Sequence, residues 1–159
     1  MEPIKEVVLE RTYDATPEVV WEAWTKPELL KQWWGPDNVT IPQCALDLKV
    51  GGKFYIVMEA GEAMGHYKGT LWPMDATFTV IEPNSKLFYD AQAWTEGSKE
   101  TTTIDQTTEI TFTEEGGKTK VKVRAAIYKL GSDAKMAAEG MQYGFTQQLA
   151  KLNNFLAAK

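Results

Sequence analysis

The chain has 159 residues and a formal net charge of −5, with 22 acidic and 17 basic side chains. This length is typical of one domain, so we expect residues 1–159 to form a single folded unit. No basic run offsets the negative charge, which argues against nucleic acid or an anionic membrane surface as a partner. The N-terminus lacks a signal-peptide core and no apolar run reaches about 18 residues, so membrane insertion is not expected. Cys44 is the only cysteine, which excludes an intrachain disulfide and favours a cytoplasmic protein.

The first part of the chain is predicted to be one strand followed by two short helices. Apolar and polar residues alternate over residues 5–13, which is the pattern of a half-buried strand. Thr16 is a good N-cap and Pro17 suits the first helical position, so a helix is expected to begin there. Pro27 starts a second helix, which the Gly-Pro pair at 35–36 ends.

Six further strands are predicted in the middle of the chain. The alternating runs, separated by turn residues, are residues 44–48, 54–58, 77–82, 87–94, 101–113 and 118–128. Residues 63–75 contain two glycines and Pro73, and are predicted to be a long loop or an irregular strand end. Because short hairpin-type connections join most of these runs, the sheet is expected to be antiparallel. With helices segregated to one side, the fold class is α+β.

Residues 132–157 are predicted to form one long helix, capped by Ser132, with a single apolar stripe that packs on the sheet. Gly140 and Gly144 share one flank of that stripe, where the missing side chains permit either close approach of a neighbour or open space. Gln148 is the polar residue within the stripe, and it is expected either to hydrogen-bond a loop or to face a cavity. A curved sheet wrapped on one helix tends to leave a cavity, where a ligand site is expected.

Residues that carry catalysis are scarce in this sequence. His66 is the only histidine, and no phosphate-binding loop or nucleophile motif occurs. We therefore assign no catalytic residue, no metal and no cofactor, and the pattern favours a protein that is not an enzyme. His66 is either a solvated loop residue or an acid or base at the mouth of the cavity. Cys44 lies in an alternating strand and is interpreted as a structural thiol rather than a nucleophile.

Five short motifs, spread over almost the whole chain, resemble those of a known family. They are Ala15-x-Pro17-Glu18-x-x-Trp21, Leu30-x-x-Trp33-Trp34-Gly35-Pro36, Asp47-x-Lys49-Val50-Gly51-Gly52-Lys53-Phe54, Ile81-Glu82-Pro83 before Leu87, and Gly140-Met141-x-x-Gly144-x-x-x-x-Leu149-x-x-Leu152. In this order they resemble the activator of heat-shock-protein-90 ATPase homologue-like family, within the SRPBCC (START-like, helix-grip) superfamily. The resemblance implies the helix-grip fold: a seven-stranded, curved antiparallel sheet around a long C-terminal helix, with two short helices after the first strand.

The resemblance also suggests ligand binding, because superfamily relatives bind lipids, sterols, hormones and polyketides. We expect a small apolar or aromatic molecule to bind between the sheet and the C-terminal helix. The residues expected to line its cavity are Trp34, Phe54, Ile56, Met58, Phe78, Ile110, Phe112, Met141, Phe145 and Gln148.

Two alternative functions come from other classes. A chaperone-accessory or other protein-binding module predicts an exposed apolar patch and a filled interior. The family is named after a chaperone-binding relative with an additional N-terminal domain, whereas this sequence starts at the first strand, so chaperone activation is not expected. An enzyme of the cyclase or hydrolase type needs convergent polar groups with perturbed pKa values in the cavity.

Overall fold

The computed structural model describes residues 2–158. Its strands are β1 Lys5–Tyr13, β2 Val39–Leu46, β3 Lys53–Ala60, β4 Leu71–Glu82, β5 Lys86–Ala93, β6 Ile104–Glu115 and β7 Lys118–Leu130. Its helices are α1 Pro17–Thr25, α2 Pro27–Trp33, α3 Lys99–Thr102, α4 Lys135–Glu139 and α5 Met141–Ala157, and a 3₁₀ segment covers Glu62–Tyr67. Within this part of the chain, no helix is both long and apolar enough to cross a membrane.

The seven strands form one antiparallel sheet in the order β1-β7-β6-β5-β4-β3-β2. Strands β2 to β7 follow one another through hairpin-type connections, whereas β1 and β2 lie at opposite edges. The chain crosses between those edges through α1 and α2, and α5 packs against β1 and α2. The α+β helix-grip fold expected from the sequence is therefore confirmed, including its seven curved strands and the two short helices after the first.

The C-terminal helix is not continuous, which corrects the prediction of one helix over residues 132–157. It breaks at Gly140, whose ψ of −3° departs from helical geometry between α4 and α5. Glycine has low helix propensity, so a bend is least costly there. Ser132 is not the cap, because Gly131 and Asp133 donate backbone hydrogen bonds to the carbonyls of Thr103 and Thr101. Helix α4 begins after Ala134.

The region of residues 63–75 is more regular than expected. The 3₁₀ segment fills its first half, and β4 begins at Leu71 and runs through Pro73. Pro73 has no N–H to donate, but its carbonyl accepts a hydrogen bond of 3.1 Å from the Trp94 N–H and so keeps that position in the sheet. Strand β6 begins at Ile104 rather than at residue 101, because α3 takes up the preceding residues.

The concave side of the sheet carries the main hydrophobic core, which the helices cover. The hydroxyl of Tyr13 donates to the carbonyl of Leu149 at 2.9 Å, and this bond ties α5 to β1. The indole N–H of Trp33 donates to the carbonyl of Ala23 at 3.1 Å, which ties α2 to α1. Both bonds are buried, so each satisfies a polar group within the core and fixes how the helices lie over the sheet.

Candidate ligand-binding site

A cavity of about 370 Å³ lies between the C-terminal helices and one end of the sheet. Its walls come from the turn after α2, from β3 to β6 with the segments that follow β3 and β5, and from α4 and α5. The lining residues are Trp34, Pro36, Met58, Met64, Trp72, Pro73, Met74, Ala93, Trp94, Thr95, Thr102, Ile104, Gln106, Ala137, Gly140, Met141, Gly144, Phe145 and Gln148. A volume of this size falls in the range of small-molecule sites.

The structure brings half of the predicted lining residues to this cavity: Trp34, Met58, Met141, Phe145 and Gln148. Ile110 lies at a separate, much smaller pocket of about 10 Å³, which it shares with Phe145 and Gln148. That smaller space is called the inner pocket below.

Four predicted residues, Phe54, Ile56, Phe78 and Phe112, belong to the buried core and do not line the cavity. Phe54 stacks on Phe78 with ring centroids 5.7 Å apart, and Trp34 packs edge-on against Phe54 at the same distance. Trp21 covers Phe112 at 5.4 Å. Tryptophans from the segment between β1 and β2 thus fill the part of the concave face where these residues lie, and the cavity remains at the other end.

Sequence reasoning missed the lining residues that come from the 3₁₀ segment, from the starts of β4 and β6, and from the segment after β5. They are Met64, Trp72, Met74, Trp94 and Ile104 among the large side chains. The available signal was the apolar run around Pro73, but two glycines and a proline led to the prediction of a long loop or an irregular strand end for residues 63–75. Trp94 is held by Lys99, whose ammonium lies 4.2 Å from the ring centroid.

Methionine and tryptophan dominate the wall of the cavity. Four of the chain's six methionines and three of its six tryptophans line it. Methionine is unbranched and polarisable, so its side chain adapts to irregular apolar surfaces, and sulfur packs well against aromatic rings. This composition suits apolar or aromatic ligands whose shapes vary.

Gln148 both hydrogen-bonds a loop and lines the cavity, so the two alternatives expected for this residue are not exclusive. Its Oε1 accepts a hydrogen bond of 2.9 Å from the N–H of Gly35, while the side chain is only 5% exposed. Gly35 has a φ of +85°, and a Cβ there would lie 2.8 Å from the sulfur of Met58. Glycine is therefore required at this turn, for its backbone conformation and for the close approach of Met58.

Lys151 fastens the same turn to α5. Its Nζ donates to the carbonyls of Trp34, Gly35 and Pro36 at 3.1–3.3 Å. Burial lowers the pKa of this ammonium, and the charge of Asp37 partly opposes that shift. The turn that carries Trp34 into the cavity wall is thus held by the C-terminal helix.

Gly144 faces open space rather than a tightly packed neighbour. An added Cβ would meet no atom within 4 Å, and the residue lines the cavity. A Cβ on Gly140 would make only ordinary contacts, at 3.5 Å from the carbonyl oxygen of Met136. Of the two explanations for the paired glycines, the geometry at Gly144 supports the open flank.

The cavity wall contains no charged side chain among the residues that the structure describes. Its polar members are Thr95, Thr102, Gln106 and Gln148. His66 lies outside the wall, exposed in the 3₁₀ segment, with its ring 4.1 Å from that of Tyr67. Across residues 2–158, no group of three or more metal-ligating side chains is found. The wall is thus suited to uncharged molecules.

Cys44 lies half-buried in β2 and does not have the properties of an activated nucleophile. Burial raises the pKa of its thiol from 9.0 to about 11, so the thiol is protonated at neutral pH.

A groove of about 390 Å³ is also present, but its walls are polar and charged. Its side chains already bond one another: the hydroxyl of Thr107 donates to Asp90 at 2.9 Å, and the Gln92 amide donates to Asp105 at 3.0 Å. Lys53 pairs with Asp75 at 3.4 Å. We do not assign this groove to an apolar ligand.

Several solved structures share this fold. A crystal structure of a Nitrosomonas europaea protein has a TM-score of 0.76 and 23% identity, covering 96% of this chain and 94% of that chain. The solution structure of an Arthrobacter aurescens protein has a TM-score of 0.78 and 22% identity, covering 97% and 87%. An AHSA1 protein from Silicibacter pomeroyi has a TM-score of 0.72 and 22% identity, covering 97% and 99%. At these identities the likeness shows the fold alone.

No curated protein matches the chain at the sequence level. The sequence profile of one family, described as "Activator of Hsp90 ATPase homolog 1-like protein", matches residues 14–157. That match spans most of the sequence and agrees with the five motifs, so the chain belongs to the Activator of Hsp90 ATPase homolog 1-like family.

Proposed function

We propose that this protein binds a small, uncharged, apolar or aromatic molecule in the cavity between the sheet and the C-terminal helix. The observation that carries the proposal is the cavity of about 370 Å³ with a wall of methionine and tryptophan and no charged side chain among the described residues. Apolar surface removed from water stabilises a complex by about 25 cal/mol per Å², and such a wall offers that gain to an apolar ligand.

Gln148 is proposed to orient the ligand. Its Oε1 is occupied by the Gly35 N–H, which leaves the amide Nε2 as the donor available to a bound molecule. A directional hydrogen bond within an otherwise apolar wall selects among ligands of similar size. A protein-binding module with a filled interior, the alternative considered from the sequence, does not account for this cavity.

We also propose a cytoplasmic setting for this function. Cys44 has no second cysteine to pair with, which is typical of proteins from reducing compartments.

Methyl NMR of the methionines tests the proposal directly, with naphthalene as the probe. Met58, Met64, Met74 and Met141 line the cavity, whereas Met136 is 81% exposed and lies outside it. We expect naphthalene to shift the four cavity methyl signals in a saturable manner and to leave Met136 unchanged. Met136→Leu assigns the control signal. Unchanged cavity signals at the solubility limit of naphthalene, or equal shifts at Met136, would refute the proposal.

Native mass spectrometry of protein purified without detergent then addresses the natural ligand. A co-purifying molecule of constant mass is expected from wild-type protein. The same molecule should be lost from a variant whose cavity has been filled, such as Gly144→Leu.

A further inference from the structure

The indole N–H of Trp24 is a buried donor whose acceptor is not supplied by the described residues. Trp24 is 3% exposed, and its Nε1 has no hydrogen-bond partner within residues 2–158. The neighbouring Trp33, whose ring lies 4.7 Å away, donates its own indole N–H to the carbonyl of Ala23. Buried donors in proteins are nearly always satisfied, so we expect the Trp24 N–H to have an acceptor outside residues 2–158.

The inner pocket is the space that Trp24 borders, and its size matches one oxygen atom. Its volume is about 10 Å³, which is roughly the space needed for a single water molecule. Besides Trp24, its polar neighbours are Tyr89, Thr108 and Gln148. A bound water needs two to four polar partners, and four of the residues that line this mostly apolar pocket have side chains able to form hydrogen bonds.

The hydrogen bonds already made around the pocket indicate what kind of atom fits. Gln148 presents its Oε1 to Gly35, so its Nε2 remains as a donor. The hydroxyl of Thr108 accepts from the Nε2 of Gln106 at 3.3 Å. The buried N–H of Trp24 is therefore left without an acceptor, and the Nε2 of Gln148 is a second donor beside the pocket. No charged side chain borders the pocket, which suits a neutral acceptor rather than an anion.

We propose that the inner pocket is a binding site for a single neutral, hydrogen-bond-accepting oxygen atom, which receives the N–H of Trp24. Either a buried water molecule or a carbonyl or ether oxygen of the ligand has this chemistry. Phe145 and Gln148 border both this pocket and the larger cavity, so the oxygen lies next to a bound ligand. The alternative in which the ligand supplies the oxygen, called the ligand arm, rests on the proposed function. The alternative in which water supplies it, called the water arm, does not.

A crystal structure of the free protein tests the water arm. We expect density for one oxygen at about 3 Å from the Trp24 Nε1 and within hydrogen-bonding reach of Thr108 or Gln148. Trp33 is the internal control, since its indole N–H is already bonded and no such density is expected there. Thr108→Val keeps the shape of the side chain but removes its hydroxyl, and should lower the occupancy of that oxygen.

A matched pair of ligands tests the ligand arm: 1-acetonaphthone, which has a carbonyl oxygen, and 1-isopropenylnaphthalene, which has a CH₂ group in its place. If the ligand supplies the oxygen, the ketone should bind at least tenfold more tightly, and Trp24→Phe should abolish that preference. If water supplies it, the two compounds should bind equally and the density should persist in both complexes.

Failure of the two proposals can be told apart. If neither compound binds, the proposed function fails, but an ordered oxygen at Trp24 in the free protein still supports this site. The inference is overturned if the free protein shows no oxygen at the pocket and the two compounds bind with equal affinity. It is also overturned if the Trp24 N–H bonds a protein acceptor instead. Should Trp24→Phe fail to fold, the density in the wild-type crystal structure and the ratio of the two wild-type affinities still decide between these outcomes.

Discussion

Replacing Gly144 by leucine tests whether the flank of α5 is open for a ligand. A Cβ at this position meets no atom within 4 Å, and the residue lines the cavity of about 370 Å³, so we expect the leucine side chain to extend into that space. Leucine is also the better helix former by roughly 0.8 kcal/mol, so the free energy of unfolding should rise by about that amount. For a chain of this length, Tm should then increase by roughly 2–4 °C.

Ligand affinity should fall in the same variant. If the four side-chain carbons of leucine displace an equal number of ligand carbons, at about 0.8 kcal/mol each, the loss is about 3 kcal/mol. That loss is more than a hundredfold in Kd. Thermal unfolding, together with titration of naphthalene, measures both effects.

Gly144→Ala is the matched control for the leucine variant. It shares the gain in helix propensity but adds only one methyl group, so it should be stabilised with nearly unchanged affinity. A leucine variant that is destabilised by about 1–3 kcal/mol, with unchanged affinity for naphthalene, would show that Gly144 serves backbone packing and would refute the reasoning.

Four further predictions concern the turn after α2 and the single cysteine. Gly35→Ala should destabilise the protein by about 1–2 kcal/mol through its φ of +85°, and further because the Met58 sulfur at 2.8 Å and the Val39 Cγ2 at 2.9 Å from the new Cβ must move. Gly51→Ala, with φ of +84° and no atom within 4 Å of the added Cβ, should show the backbone cost alone in urea unfolding; equal losses would contradict the steric argument. Gln148→Met should cost about 1–3 kcal/mol because it leaves the buried Gly35 N–H unpaired, whereas Gln147→Met, whose partner Asp37 N–H is exposed, should cost far less. For Cys44, the rise of the thiol pKa from 9.0 to about 11 lowers the thiolate fraction at pH 8 about a hundredfold, while the more basic thiolate is several times more nucleophilic. Iodoacetamide should therefore react at least about tenfold more slowly with folded than with urea-unfolded protein. The same shift stabilises the fold fully below pH 9, and this contribution should be lost as pH rises through about 11; a Cys44→Ala variant with the same alkaline loss would contradict that assignment.

The prediction of the strands succeeded where side chains alternate over a long run. Residues 118–128 lie within β7, and residues 87–94 coincide with β5 except for Trp94, which follows its last residue, because their period of two is a local property of the sequence. It failed around Pro73, where the strand depends on pairing with β3 and on the Trp94 N–H. The hydrogen bonds of the backbone at this position come from neighbouring segments of the chain, and the local sequence cannot predict them.

The sequence by itself determined the family, the order of the elements and which face of each strand is apolar, since these follow from motifs and periodicity. Only the tertiary structure decided which apolar residues face the cavity. Phe54 and Met58 lie four residues apart on β3 and therefore on the same face of the strand. Trp34 packs on Phe54, however, whereas Met58 borders the cavity. That difference arises because the segment between β1 and β2 fills one part of the concave face. The C-terminal helix, which is interrupted at Gly140 and has no side chain at Gly144, leaves another part open. Periodicity separates inside from outside, but the packing of distant segments decides whether the inside is filled.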